Sequence, residues 1–130
     1  KKQILACIGD GSLMINLQDL QFFKHHKNIK LKIIVLDNET LGNTKLGTQE
    51  TFNGRTHAND KNNGYFSPNI KNICKAFDLN YMFLDKNLNI EKTTRKFLKN
   101  KISSVLHIKV SSDHNVIDHS KKYLNSTYSF

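Results

Sequence analysis

Two short apolar runs, each ending in a polar turn, constrain the fold of this 130-residue chain more than any other feature. The first run lies in residues 3–8 and is followed at once by Gly9-Asp10-Gly11-Ser12. The second run lies in residues 31–36 and is followed by Asp37-Asn38. Continuous apolar runs of this length, closed by turn residues, are typical of strands buried on both faces of a parallel sheet. The sequence therefore predicts two buried strands.

The segment between the two runs has the spacing of a helix. Its apolar side chains recur on one face, which predicts a helix from about residue 12 to 26. Two parallel strands joined through a helix form a right-handed unit, so the carboxyl ends of both strands lie at the same edge of the sheet. Ligands of open α/β sheets bind at that edge. Asp10 and Asn38 are therefore expected to converge, although 28 positions separate them.

The turn at residues 9–12 has the chemistry of an anion site that also needs a cation. A glycine-rich turn between a strand and a helix offers backbone N–H groups and the helix dipole to a phosphate. The carboxylate of Asp10 would repel a bare diphosphate, which predicts a divalent cation between them, with Asn38 as a second ligand. A turn that uses glycine only for its backbone freedom is the alternative.

Two other phosphate-binding motifs do not fit these residues. A dinucleotide fingerprint needs a third glycine at position 14, where this chain has Met14. A Walker A loop needs a lysine close to the turn, and no lysine lies between Lys2 and Lys24. The sequence thus argues against a dinucleotide fold and a P-loop.

The turn at residues 9–12, taken with Asn38-Glu39-Thr40-Leu41-Gly42, resembles the cofactor signature of the thiamine diphosphate enzymes, and most of all their acetolactate synthase-like branch. The likeness continues more weakly through residues 44–49 and 52–55. It implies an α/β fold with three layers, a mainly parallel sheet with helices on both faces, incomplete at the N-terminus. It also implies that residues 1–130 are the C-terminal thiamine diphosphate-binding domain, a fragment of a longer enzyme.

The resemblance implies thiamine diphosphate and Mg²⁺ as cofactors. The metal ligands would be the Asp10 carboxylate, the Asn38 side-chain carbonyl and the Thr40 backbone carbonyl. The amides of Gly11 and Ser12 would hold phosphate oxygens, and capping of the helix is a second, compatible role for Ser12. The full set of expected cofactor-binding residues is Gly9, Asp10, Gly11, Ser12, Asn38, Thr40, Leu41 and Gly42.

The implied reaction is decarboxylation of a small 2-keto acid such as pyruvate, followed by release or carboligation of the remaining fragment. No catalytic residue is expected in this chain, because the activating Glu would come from the pyrimidine-binding domain of a second subunit. The full-length enzyme would be a homodimer or homotetramer, and this chain alone would anchor the diphosphate without catalysing. A non-catalytic α/β module that binds another phosphate ligand or a protein is the alternative.

Two departures from the family pattern bear on the product and on the metal turn. Asn43 follows Gly42, where acetolactate synthases commonly have Met, and the chain has no Trp, which argues against acetolactate as the product. Asp37 stands where the family often has Asn, and it is interpreted as a turn residue at the end of a strand rather than a partner of the metal ligand.

Charge and composition exclude further classes of function. The net charge of +9 comes almost entirely from lysines spread along the chain, with Arg55 and Arg95 the only arginines, so nucleic-acid binding is not expected. No apolar run is long enough to span a membrane, and a cytoplasmic protein is expected. Cys7 and Cys74 are predicted to be buried free thiols. Surface positions at the end of the first helix are predicted for His25-His26.

The rest of the chain predicts a loop followed by alternating helices and strands. Residues 43–66 lack periodicity, which predicts a long loop. The resemblance implies that this loop lies beside the cofactor, and it is expected to be mobile without it. Ser67-Pro68 predicts a helix start. A strand at 81–84, a helix from Asn89 and a strand at 105–110 follow, and the tail from residue 111 has no strong pattern.

Overall fold

The computed structural model describes residues 2–26, 28–85 and 89–112. The elements, in chain order, are β1 (Lys2–Gly9), α1 (Asp10–Ile15), a 3₁₀ turn (Leu17–Leu20), α2 (Gln21–His25), β2 (Ile29–Asp37), α3 (Gly42–Thr51), α4 (Ile70–Ala76), β3 (Asn80–Leu84), α5 (Ile90–Lys99) and β4 (Ser104–Lys109). The four predicted strands are all present; the first three are longer than predicted by one to three residues, and the last is shifted by one residue toward the N-terminus. Most of the predicted tail lies outside the described residues.

The four strands form one parallel sheet in the order β1-β2-β4-β3. The register pairs Gly9 with Leu36 and Asp37 with Lys109, so β1, β2 and β4 end side by side. The polar turns that follow β1 and β2 therefore meet at one edge of the sheet, as the strand-helix-strand pattern predicts.

Alternate side chains of β2 pack against helices on opposite faces of the sheet. Leu31, Ile33 and Val35 belong to a core that also contains Leu13, Leu20, Ile70 and Cys74 from α1, the 3₁₀ turn and α4. On the other face, Phe97 of α5 packs with Leu84 and Leu106. Two helical layers enclose the parallel sheet, which confirms the predicted fold class.

Two predicted segments differ in the structure. The helix expected over 12–26 begins earlier, at Asp10, and is interrupted at Asn16, whose backbone leaves the helical region (φ −127°, ψ 43°). The expected loop at 43–66 contains α3, which carries no buried residue and therefore has no apolar face for periodicity to detect. Only its second half, 52–66, is irregular.

The start of α4 also differs from the prediction. The helix begins at Ile70 rather than at Ser67-Pro68. The side chain of Asn69 accepts a hydrogen bond of 3.0 Å from the backbone N–H of Asn72 and so caps the first turn. The helix therefore starts after the residue whose side chain caps its first turn, and not at the Ser-Pro pair two residues earlier.

The burial of β1 was predicted wrongly. Cys7 is exposed, as are Ile4 (48%) and Leu5 (54%), because β1 is the edge strand of the described sheet and pairs there only with β2. Cys74 is buried as predicted, and burial raises its pKa to about 11. His25 and His26 are exposed at the end of α2, as predicted.

A buried lysine lies between the sheet and α5. Lys32 is fully buried, and its ammonium donates to the Ile102 carbonyl and the Ser104 hydroxyl, both at 2.7 Å. The same ammonium lies 5.1 Å from the ring centroid of Phe97. Burial lowers the pKa of Lys32, and the nearby charge of Lys30 adds to the effect.

The lowered pKa of Lys32 predicts a pH-dependent stability. As the pH rises toward 10.5, the ordinary pKa of lysine, the folded chain has released the Lys32 proton while the unfolded chain still holds it. The free energy of unfolding therefore increases with pH because of this group. Relative to Lys32→Met, wild type should gain stability with pH by at most about 1.4 kcal/mol per pH unit. Urea unfolding between pH 7 and 10.5 measures this, and the exposed Lys96→Met is the control. Parallel pH profiles for wild type and Lys32→Met would contradict it.

Candidate functional site

The first turn of α1 presents its N–H groups at the carboxyl edge of the sheet. Gly9 is the N-cap residue in extended conformation, and its position is not capped by a side chain. Ser12 lies exposed within the first turn, so the predicted capping role for Ser12 is wrong. The first N–H groups of a helix have no partner within it, which leaves those of Gly11 and Ser12 suited to an anion.

Asp10 is almost completely buried, with 1% of its surface exposed. The hydroxyl of Tyr65 donates to its Oδ2 at 2.8 Å. Burial raises the pKa of Asp10, the bond from Tyr65 opposes that rise, and the charge of Asp37 adds to it. The ends of β1 and β2 lie side by side, as predicted, because Gly9 pairs with Leu36 in the sheet.

The second turn leaves β2 through Asn38, Glu39 and Thr40. The Asn38 Oδ1 accepts from the backbone N–H of Thr40 at 3.1 Å. Glu39 adopts a left-handed backbone (φ 54°), which is uncommon for a residue with a side chain. Thr40 is buried and forms an isolated antiparallel bridge to Asp60. The turn is therefore tightly bent, and Thr40 is held by the Asn38 side chain and by the bridge to Asp60.

The two turns contact each other through Gly11 and Leu41. A Cβ added at Gly11 would collide with the Cδ2 of Leu41 and would lie 3.5 Å from the Tyr65 hydroxyl. The Leu41 side chain packs directly on the α1 backbone at Gly11, and a larger residue there would require Leu41 to move. Gly42 follows as the first residue of α3, so a second helix begins at this edge.

The segment 52–66 lies against both turns. Asp60 is paired with Lys45 of α3 at 2.7 Å. Asn59 accepts from the Leu41 N–H through its backbone carbonyl at 2.7 Å, and it is 1% exposed. Both polar atoms of the Asn59 side chain are without a hydrogen-bond partner among the described residues. His57, in the same segment, is exposed.

A polar network next to the second turn was missed by the sequence analysis. Asp37 is 2% exposed, and its Oδ2 accepts from His107 Nε2 at 2.8 Å and from Lys109 Nζ at 2.9 Å. Lys109 also pairs with Glu39 at 2.7 Å, and Tyr81 bonds the second ring nitrogen of His107 at 2.9 Å. Burial raises the pKa of Asp37, but the bonds from Lys109 and His107 prevail and hold it below its ordinary value.

Asp37 is thus both a turn residue and the centre of a network beside the expected metal ligand. One signal was present in the sequence: His107 and Lys109 alternate along the last strand and must share a face. Their partner could not be named without the strand order, which places β4 beside β2.

Two clefts flank the sheet at opposite edges. One of about 370 Å³ opens at the carboxyl edge and is lined by residues of the network together with the start of α4. A larger one, about 620 Å³, lies at the amino edge around Phe23, Lys30 and Ser103, far from both turns. The smaller cleft and the neighbouring turns are the candidate functional site, because the buried carboxylates Asp10 and Asp37 lie at this edge.

The residues at this edge fit a hard divalent cation. The predicted donors are a carboxylate, an amide carbonyl and a backbone carbonyl, and Mg²⁺ prefers oxygen ligands of these types. The described residues hold no group of three or more His, Cys, Asp or Glu side chains that could bind a metal ion. Among the described residues, none of the helices has the length and apolar character that a membrane span requires.

Three kinds of comparison relate this chain to known proteins. The family model described as thiamine pyrophosphate enzyme, C-terminal TPP binding domain, matches residues 1–108. The chain is 28% identical over 113 residues to the acetolactate synthase isozyme 2 large subunit of Escherichia coli (strain K12). The aligned residues cover 86% of this chain and 20% of that protein. This relative agrees with the branch that the sequence resembles.

The third match is a solved structure, the Rhodococcus jostii RHA1 thiamine diphosphate-dependent 4-hydroxybenzoylformate decarboxylase. It superposes with a TM-score of 0.69 at 19% identity, over 87% of this chain and 20% of that one. At this identity the likeness bears on the fold alone. The chain spans about a fifth of the length of both proteins.

Proposed function

The chain belongs to the family of C-terminal TPP binding domains of thiamine pyrophosphate enzymes, and from that premise we propose that it binds the diphosphate of thiamine diphosphate through Mg²⁺. The parent protein is then an acetolactate synthase-like enzyme that acts on a 2-keto acid by decarboxylation or carboligation. The observation that carries this proposal is the buried Asp10 carboxylate at the same sheet edge as the Asn38 turn.

The proposed metal ligands are Asp10 through its carboxylate, Asn38 through its side-chain carbonyl and Thr40 through its backbone carbonyl. A nearby cation would relieve the repulsion between Asp10 and Asp37, and it would stabilise the ionised form of Asp10 that burial disfavours. Tyr65 donates to Asp10 Oδ2, and a carboxylate has lone pairs for further partners. The donor set and its charge therefore support a cation.

The proposed diphosphate contacts come from two helix starts. The N–H groups of Gly11 and Ser12 open α1, and Leu41 and Gly42 lead into α3, so both helices direct positive dipole ends to this edge. The unpartnered amide of Asn59, whose backbone is bonded to Leu41, supports a ligand at this place, because buried polar groups are rarely left unpaired.

In this proposal the chain binds and orients, and the difficult chemistry belongs to the cofactor. The chemistry that thiamine diphosphate supplies when bound is stabilisation of the carbanion left by loss of carbon dioxide. The activating Glu comes from the pyrimidine-binding domain of a second subunit in a cytoplasmic homodimer or homotetramer. The residues described here serve as the anchor, and this chain alone does not catalyse.

Calorimetric titration tests the proposed function. The protein at its natural length is titrated with thiamine diphosphate in Mg²⁺ and again in excess chelator, with thiamine monophosphate as the matched ligand. We expect binding in Mg²⁺, its loss in chelator, and much weaker binding of the monophosphate, because the monophosphate lacks one of the two phosphate groups that the metal and the turns would hold. Tight binding that survives chelation would favour the alternative, a metal-independent phosphate module, and absence of binding would refute the assignment.

A further inference from the structure

We propose that Lys109, at the end of β4, is a positioning residue that holds the metal-binding turn in its ligating shape. It does so by clamping Asp37 and Glu39, the two residues that flank Asn38. The inference rests on the proposed function, since it concerns the ligands assigned there. It adds a role for a lysine that is far from the turn in sequence and is not one of the proposed ligands.

The clamp consists of two short ion pairs from a single ammonium. Lys109 Nζ lies 2.9 Å from Asp37 Oδ2 and 2.7 Å from Glu39 Oε1. Asp37 is the last residue of β2, and Glu39 is the residue after Asn38. One side chain therefore fixes the chain before and after the proposed metal ligand.

The backbone of Glu39 explains why a clamp is needed. Its left-handed conformation (φ 54°) is unfavourable for a residue with a side chain and persists only where neighbouring contacts impose it. The Glu39 N–H donates to Asp37 Oδ1 at 3.2 Å, and the Glu39 carboxylate pairs with Lys109. These contacts hold the bend that sets the direction of the Asn38 side chain and the Thr40 carbonyl.

The sheet anchors the clamp. Asp37 pairs with Lys109 in the parallel register, and the backbone N–H of Val110 donates to the Asp37 carbonyl at 3.0 Å. His107 Nε2 lies 2.8 Å from the Asp37 carboxylate, so this nitrogen carries the proton and the other accepts from Tyr81. Lys109 thus ties the turn to β4, and without this contact the turn would be free to change its conformation.

Metal affinity is the quantity that this arrangement controls. Partners that orient metal ligands typically change metal affinity by 10- to 100-fold when they are removed. Exposed ion pairs contribute little to folding, so the pair with the half-exposed Glu39 has its main effect on the shape of the turn. The variants Lys109→Met and Glu39→Gln therefore separate the two sides of the clamp.

The test measures Mn²⁺ affinity by electron paramagnetic resonance, at saturating thiamine diphosphate, on the protein at its natural length. We expect the Kd for Mn²⁺ to rise about 10- to 100-fold in Lys109→Met and several-fold in Glu39→Gln, with partial recovery in Lys109→Arg. In the Lys109→Met background, Glu39→Gln should add no further loss. Lys75→Met, on the exposed side of α4, is the control and should bind as wild type.

Urea unfolding without metal separates positioning from damage to the fold. If Lys109→Met loses stability because Asp37 is left with one partner fewer, Glu39→Gln decides, since it leaves Asp37 fully paired. Wild-type Mn²⁺ affinity in Glu39→Gln, or in a folded Lys109→Met, would overturn the inference while the proposed function stands. Absence of Mn²⁺ binding in the unmodified protein would refute the proposed function, and the inference with it.

Discussion

Replacing Asp10 by Asn is expected to abolish Mg²⁺-dependent binding of thiamine diphosphate. The substitution keeps the size of the side chain and an oxygen that accepts from Tyr65, but it removes the only carboxylate among the proposed ligands. Loss of an orienting partner alone costs 10- to 100-fold in metal affinity, so loss of this ligand should cost on the order of 100-fold or more. Calorimetry with Mg²⁺ present measures the change.

The same substitution should not destabilise the metal-free chain. Burial raises the pKa of Asp10, so the ionised form lowers the stability of the folded state at neutral pH, and a neutral Asn removes that cost. Urea unfolding without metal should therefore give a midpoint equal to or above that of wild type. Asp19→Asn, at an exposed position of the 3₁₀ turn, is the control for binding. Retained metal-dependent binding in Asp10→Asn would sink the site assignment.

Phe97→Ala is expected to cause the largest loss of stability. Phe97 is fully buried, packs with Leu84 and Leu106, and lies under the ammonium of Lys32. Truncation of a buried Phe to Ala costs about 3–5 kcal/mol, a large part of the 5–15 kcal/mol typical of a whole domain. The free energy of unfolding in urea measures the loss.

Phe66→Ala is the matched control for that core substitution. Phe66 is 77% exposed, so its truncation should change the free energy of unfolding by no more than about 0.5 kcal/mol. Similar losses for the two variants would show that α5 does not pack on the sheet as described.

The strands and the position of the two turns that follow β1 and β2 could be predicted from sequence because their signals are local. An apolar run followed by glycine or a polar turn marks the end of a buried strand, and parallel pairing brings such ends together. That reasoning placed Asp10 and Asn38 at one edge. It failed for Cys7, because burial depends on what lies beside a strand, and β1 pairs on one side only in the described sheet.

The parts that sequence could not supply depend on contacts between distant residues or on helices without an apolar face. Tyr65 and Asp10 are 55 positions apart, and His107 and Asp37 are 70 apart. No local pattern pairs such residues until the strand order is known. The helix α3 was missed for a different reason, since it buries no side chain and its residues show no periodicity.

The strand order has a consequence for how the site is assembled. In the described sheet β3 pairs only with β4, and β4 lies between β3 and β2, so β3 has no strand to pair with until the final strand inserts. During synthesis on the ribosome the two turns that contain Asp10 and Asn38 emerge before Tyr65, His107 and Lys109. The residues proposed as metal ligands are therefore made early, but the contacts that hold their turns form only when β4 docks.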